Sequence, residues 1–101
     1  EMAVARFYLM QGYYSAALKR FALVVRDYDN TNQVPEALYR MIEAYLSLGL
    51  PDEAERVVQV IEYNFAESVW TERAVEVLNN PDRSGPKGLL GSVIDRALSV
   101  F

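Results

Sequence analysis

The sequence predicts an all-α protein in which antiparallel helix hairpins stack into a solenoid, and three observations lead to this prediction. Apolar residues recur at steps of three and four along the chain, whereas the alternation typical of strands is nearly absent. Glycine and proline divide the chain into segments of helix length. A faint repeat of 37 residues aligns three pairs of positions: Tyr8 with Tyr45, Gly12 with Gly49, and Ala17 with Ala54.

Five helices are predicted before residue 80, near 1–11, 14–28, 35–48, 52–64 and 69–79. Gly12 separates the first two helices, and Gly49 closes the third. Pro35 and Pro51 stand where a first helical residue belongs, and acidic residues follow both prolines, as the positive end of the helix dipole favours. These two helix starts are the best-defined boundaries in the sequence. The division therefore predicts two complete helix pairs and a further helix within residues 1–80.

Residues 81–88 are predicted to be a Pro/Gly linker, and residues 89–101 an amphipathic C-terminal helix. Its apolar stripe consists of Leu89, Leu90, Val93, Ile94, Ala97, Leu98 and Phe101. A terminal repeat needs a cap, which makes this helix a candidate to fold back over the third unit. The alternative is a helix that binds in a partner's groove or on a membrane surface, although Arg96 is its only basic residue.

The helix pairs follow the tetratricopeptide (TPR) pattern, in which small residues let paired helices approach and bulky residues fill the remaining space. Unit one supplies Val4, Ala5, Tyr8, Tyr14, Ala17 and Phe21; unit two supplies Leu38, Met41, Ile42, Tyr45, Ala54 and Val58; unit three supplies Trp70 at the large position and Ala74 at the small one. Ile42 departs from the pattern because a small residue is usual there. A closed bundle of four or five helices is the alternative fold, since helical periodicity alone does not separate the two.

Composition excludes several classes of function. The chain has 10 basic and 14 acidic residues, a formal charge of −4, which gives no basic footprint for nucleic acid. It has neither Cys nor His, so thiol nucleophiles, imidazole bases and the usual zinc ligands are missing. We therefore expect no enzyme activity and no cofactor. The helical pattern is already established at Glu1 without a capping residue before it, which predicts that the chain is a piece of a longer protein.

Several motifs in combination give the chain a specific resemblance. They are G-Y-Y-x-A-A-x-x-R-F at 12–21, V-x-x-Y-x-x-T at 25–31, V-P-E-A-L-Y-R at 34–40, and Asn64-Phe65 ahead of Ser68 and Trp70. Over about residues 1–80 the chain resembles the C-terminal TPR units of the BamD (ComL) family of outer-membrane assembly lipoproteins. The resemblance implies a protein at the periplasmic face of the bacterial outer membrane. It also implies that the protein meets the membrane only through an N-terminal lipid anchor outside this sequence.

The resemblance further implies protein partners, namely a periplasmic POTRA domain of BamA and other lipoproteins of the same complex. The predicted function is thus a non-catalytic scaffold for protein–protein interaction. The alternative is a generic TPR adaptor or co-chaperone module that binds peptides. Such modules rely on basic residues converging on the concave face, whereas here the few arginines of the first helix of each pair are accompanied by glutamates.

The predicted partner-binding residues are Arg20, Lys19, Tyr13, Arg26 and Asp27. Arg20 is the leading candidate, because its helical phase lies about 100° from the centre of the apolar face and its side chain can reach outward. Its guanidinium fork matches a carboxylate on another protein. The alternative for Arg20 is a solvated surface arginine, or one paired within its own helix with nearby acids. Lys19 and Arg26 point further from the core and contribute mainly to solubility.

Overall fold

The structure, a computed structural model, describes residues 1–27 and 32–79, and within these ranges every regular element is an α-helix. The helices are α1 (Met2–Met10), α2 (Tyr14–Asp27), α3 (Val34–Ser47), α4 (Pro51–Asn64) and α5 (Val69–Asn79). The predicted all-α fold is confirmed, and the five predicted helices agree with these bounds to within one residue. The predicted linker 81–88 and helix 89–101 lie outside the described residues.

The two turns that close the hairpins have the same geometry, one repeat apart. Gly12 has φ +83° and Gly49 has φ +76°, a left-handed conformation that costs little without a Cβ. The amide of Tyr13 donates to the carbonyl of Tyr8 at 2.9 Å, and the same bond recurs 37 residues later. This is a Schellman motif, which ends a helix and reverses the chain. The short turns therefore make each pair of consecutive helices antiparallel.

Alanine side chains let the helices approach closely. The bulky side chains of Phe21, Ile42 and Ile61 are fully buried and fill the space that remains between the helices. Ala17 and Ala54 are buried, as the TPR register predicts. Six alanines have a relative exposure of 0%: Ala5, Ala17, Ala37, Ala44, Ala54 and Ala74.

The hairpins stack in a row. Each helix packs against the next one in the chain, and α3 also packs against α1 and α5, so the first helices of successive pairs are neighbours. One buried cluster joins α1, α2 and α3, and a second joins α3, α4 and α5. Because α3 contributes to both clusters, the core continues from hairpin to hairpin. This arrangement is that of a TPR-type solenoid.

The packing predicted for Val4 is wrong. The TPR pattern predicts that Val4 packs between helices, yet it is 41% exposed. Its counterpart one repeat later, Met41, packs against both clusters because residues of the first hairpin lie against it. No helix pair covers the corresponding side of α1 within residues 1–27 and 32–79, so Val4 faces solvent.

Candidate partner-binding surface

A half-buried tyrosine organises the outer surface of the first hairpin. Tyr8 packs against the first core cluster, which fixes its ring. The ring centroid of Tyr13 lies 6.3 Å from that of Tyr8, and the ring centroid of Phe7 lies 6.1 Å from it. The guanidinium carbon of Arg20 lies 5.9 Å from the Tyr8 centroid, a cation–π contact that joins α2 to α1. We refer to Phe7, Tyr8, Tyr13 and Arg20 as the Tyr8 cluster.

Arg20 keeps most of its hydrogen-bonding capacity. Its Nη1 lies 3.6 Å from Oε1 of Glu1, and the two side chains are 41% and 43% exposed. An ion pair of this length and exposure stabilises a fold by well under about 1 kcal/mol. The structure thus pairs Arg20 weakly across the hairpin with Glu1 rather than with an acid of its own helix. A stronger carboxylate ligand can displace Glu1 at little cost.

Large exposed apolar side chains occur on the same hairpin as Arg20. Phe7 is 57% exposed, Tyr13 is 59% exposed and Met10 is 82% exposed. Phe7 and Met10 lie three residues apart on α1 and so share one face of that helix, while Tyr13 stands at the turn. The first hairpin therefore presents exposed apolar side chains as well as the Arg20 guanidinium, and both residue types are common in protein interfaces.

The other predicted site residues lie outside the Tyr8 cluster. Lys19 is exposed on α2. Arg26 and Asp27 are exposed and bind each other, with 2.8 Å between Nε and Oδ1. The hydrogen bond from Arg26 holds the pKa of the Asp27 carboxyl below its ordinary value. The structure therefore brings together Tyr13 and Arg20, whereas Arg26 and Asp27 neutralise each other.

A separate network of charges crosses the first helices of the pairs, α1 and α3. Arg6 donates two hydrogen bonds to Glu36, with Nε to Oε2 at 2.8 Å and Nη2 to Oε1 at 2.7 Å. Arg40 contacts Glu36 at 3.3 Å and Glu43 at 2.9 Å. The contact between Arg6 and Glu36 could not be predicted from helical periodicity, because the two residues are 30 positions apart and lie on different helices. We refer to these four residues as the Glu36 network.

Aromatic rings extend this network onto α5. The ring centroid of Trp70 lies 5.5 Å from that of Tyr39, and the guanidinium groups of Arg40 and Arg73 lie 5.4 Å and 4.8 Å from the Trp70 centroid. The TPR pattern predicts that Trp70 is a large core residue, but it is only half-buried. The buried stripe of α5 begins one position later, at Thr71. Trp70 therefore covers the side of the core and does not fill it.

The Glu36 network leads to a prediction for acid stability. The hydrogen bond from Arg6 is the main reason that the pKa of Glu36 lies below its ordinary value of 4.5. Burial of the carboxyl group acts in the opposite direction and raises the pKa, but its effect is smaller. A lowered folded-state pKa stabilises the fold above the unfolded pKa, and this contribution is lost as the pH falls through the folded pKa. We expect Glu36→Gln to lower the free energy of unfolding by about 1 kcal/mol at neutral pH. Below the folded pKa of Glu36 the difference should vanish.

The measurement is urea unfolding followed by circular dichroism at steps between about pH 7 and pH 3. Glu53→Gln is the matched control, because Glu53 binds Arg56 at 2.6 Å on an exposed surface with side chains that are 46% and 68% exposed. Its effect should stay within about 0.5 kcal/mol. Parallel pH profiles for wild type and Glu36→Gln would contradict the prediction.

Metal sites and membrane spans are both absent from the described part of the chain. Among residues 1–27 and 32–79, no three Asp or Glu side chains come together as potential metal ligands. None of the helices in these ranges is long and apolar enough to cross a membrane.

Comparison with known proteins places the chain among bacterial outer-membrane proteins. The family model described as "YfiO: Outer membrane lipoprotein" matches residues 1–79. Three relatives carry the name outer membrane protein assembly factor BamD. The relative from Caulobacter vibrioides is 44% identical over 79% of this chain, that from Rickettsia prowazekii 41% over 79%, and that from Neisseria meningitidis serogroup A 39% over 73%.

The matched region is a small part of each relative. The alignment covers 26% of the Caulobacter protein, 32% of the Rickettsia protein and 28% of the Neisseria protein, so the chain spans about a quarter to a third of their length. No solved structure matches the chain significantly.

Proposed function

This chain belongs to the YfiO family of outer membrane lipoproteins, and on that premise we propose that it serves outer-membrane protein assembly as a non-catalytic docking scaffold. Its partner is a periplasmic POTRA domain of BamA, with other lipoproteins of the same complex as further partners. The site of action is the periplasmic face of the outer membrane, reached through an N-terminal lipid anchor. Relatives with 39–44% identity are named as assembly factors, which supports the process but not the individual partner.

The observation that carries the proposal is the placement of Arg20 on Tyr8. A guanidinium held over an aromatic ring is partly ordered before binding, so fewer rotamers are lost when it meets a carboxylate. Its neighbour Glu1 competes only weakly at 3.6 Å. The geometry therefore suits a partner that brings an acidic side chain into a ring of apolar contacts.

Exposed apolar residues of the first hairpin supply the rest of the proposed interface. Phe7 and Met10 on α1, with Tyr13 at the turn, offer exposed area that a partner domain could cover. Aromatic residues, Met and Arg are the residue types enriched at interface centres, whereas Lys and Glu are depleted there. Lys19, Arg26 and Asp27 then stand at the rim, where charges steer association more than they stabilise the complex.

The alternative function, a peptide-binding adaptor, finds less support. Such an adaptor would use the arginines of the first helices of the pairs to bind a free carboxylate. Arg6 and Arg40 are already bound by Glu36 and Glu43 at 2.7–3.3 Å. A peptide carboxylate would have to displace these glutamates, and leaving a half-buried glutamate without its partner costs free energy.

The test is the charge reversal Arg20→Glu, measured as binding to the purified POTRA domains of BamA by calorimetry. We expect affinity to fall about 10- to 100-fold, because a charge-assisted hydrogen bond contributes roughly 1.5–3 kcal/mol. The melting temperature should change little, since the side chain is 41% exposed and its ion pair is weak.

Arg56→Glu is the matched control, because Arg56 lies on α4, is 68% exposed and is far along the solenoid from the Tyr8 cluster. It should change the affinity less than about twofold. Wild-type affinity in folded Arg20→Glu protein would remove Arg20 from the interface. Tight binding of a short peptide with a free carboxylate, lost in Arg40→Ala, would favour the adaptor instead.

A further inference from the structure

An open groove runs along the seam between α4 and α5. A hollow of about 590 Å³ occupies one end, and a second of about 220 Å³ continues toward Asn79. The larger hollow is lined by Ala66, Thr71 and Val75, with Glu62, Glu72 and Glu76. Val58, Val75 and Leu78 supply apolar surface to the smaller one. The groove thus has an apolar floor and an acidic rim.

Comparison of the repeats shows that the equivalent surface of α3 is covered by a helix, namely α4. On α3, Val34 and Leu38 are only 3% and 4% exposed and pack in one cluster with the buried residues of α4. Thirty-seven residues later, Thr71 and Val75 occupy the corresponding positions on α5. Both line the open groove; Thr71 is itself only 5% exposed, whereas Val75 is half-buried. In the second pair α4 covers α3. The described residues contain no helix that covers α5 in the same way.

The second helices of the two complete pairs share a spacing of buried residues. In α2 these residues are Ala17, Phe21 and Val24, and in α4 they are Ala54, Val58 and Ile61. Both sets follow the spacing i, i+4 and i+7, which places three side chains on one face of a helix. The same spacing of apolar residues occurs in the chain after α5, at Ile94, Leu98 and Phe101 and also at Leu90, Ile94 and Ala97.

We propose that residues 89–101 form the second helix of the third pair and pack into the α4–α5 groove of the same chain. The connection, residues 80–88, spans up to about 30 Å when extended, which exceeds the length of α5, about 16 Å. The chain can therefore return along α5 in the antiparallel direction. Burial of the apolar stripe in the groove completes the array and removes an exposed apolar surface from both parts.

The charges are consistent with this occupant. The rim of the larger hollow carries three glutamates. The side chains of residues 89–101 sum to zero, with Arg96 against Asp95, and the connection before them adds Arg83 and Lys87 against Asp82, so residues 81–101 have a net side-chain charge of +1. A second copy of this acidic chain, with net charge −4, would bring like charges toward the rim.

Cysteine cross-linking in the full chain tests the proposal, because the protein has no cysteine of its own. With Val75→Cys and Ile94→Cys, mild oxidation of dilute protein should yield a disulfide within one chain. The control pair, Val75→Cys with Ser92→Cys, places the second thiol on the polar face, about 200° away around the helix, and should react far more slowly. Non-reducing electrophoresis and peptide mass spectrometry identify the products.

Thermal unfolding gives a second, independent readout. Ile94→Asp with Leu98→Asp should lower the melting temperature by at least about 4 °C. Ser92→Asp with Ser99→Asp adds the same charge on the opposite face and should change it by less than about 2 °C. A disulfide that joins position 75 of one chain to position 94 of another would assign the groove to a second copy and overturn the proposal. Equal cross-linking of both pairs, or equal melting temperatures of both double variants, would overturn it too.

Discussion

Replacing Phe21 with alanine is expected to lower the free energy of unfolding by about 3–5 kcal/mol. The Phe21 side chain is fully buried and belongs to the cluster that joins α1, α2 and α3. Its removal takes away a large apolar surface and leaves a cavity between two hairpins. Half of the buried residues in this cluster are alanines, whose methyl groups are too short to fill that space. The cavity should therefore persist, and the loss should lie at the upper end for such substitutions.

Phe7→Ala is the matched control, because it removes the same atoms from a side chain that is 57% exposed. Its effect should be within about 0.5 kcal/mol. Urea unfolding followed by circular dichroism measures the free energy of unfolding of both variants. We expect both to have the m-value of the wild type. Equal losses for the two phenylalanines would show that the hairpins do not pack in the TPR register.

The same pair of variants also separates stability from binding. Phe7 belongs to the Tyr8 cluster, so Phe7→Ala should weaken docking of a POTRA domain while leaving the fold intact. Phe21 is fully buried and offers no side-chain surface to a partner. Its substitution should affect docking only through the fraction of unfolded chain.

The helix boundaries could be predicted from the sequence because their signals are local. Gly12 and Gly49 accept the left-handed backbone that a Schellman motif needs, and Pro51 has the fixed φ that suits a first helical residue. The core alanines could be predicted as well, since Ala17 and Ala54 repeat at 37 residues. The turns and the helix start depend on neighbours in the chain, and the alanine positions follow from the repeat.

Burial at the edges of the array could not be predicted in the same way. Val4 and Met41 hold the same repeat position, yet Val4 is exposed and Met41 packs between clusters. The difference depends on which helices stand beside each residue, and periodicity within one helix carries no such information. Trp70 is large and apolar, but it stands one position before Thr71, where the buried stripe of α5 begins. This shift of one residue places its side chain at the side of the core.

The candidate site could be predicted in part. The helical phase of Arg20 on α2 is a local property and identifies this residue. In the structure Arg20 and Tyr13 both lie against the ring of Tyr8. Its contact with Tyr8 crosses from one helix to another and has no signature in either helix. The role of the site in binding stays a prediction until Arg20→Glu is measured.

Ile42→Ala is expected to lower the free energy of unfolding by about 2–5 kcal/mol. The TPR pattern usually has a small residue at this position, so family preference alone predicts a neutral or stabilising change. The structure predicts the opposite, because Ile42 is fully buried in the second cluster, together with Val58 and Ile61 of α4. A methyl group in place of its side chain would leave those residues without contacts on one side.

The two predictions for Ile42 differ because a repeat pattern averages over many helix pairs, whereas packing depends on the volume available in one. In the first hairpin the equivalent residue is Ala5, which is also fully buried, so the position is enclosed in both hairpins. In the second hairpin the same position holds a larger, branched side chain, and the space between α3 and α4 must be larger to match. Leu48→Ala, at a position 39% exposed, is the control and should cost less than about 1 kcal/mol. Stabilisation by Ile42→Ala would mean that α3 and α4 can close the gap, and that the family's preference for a small residue holds in this chain too.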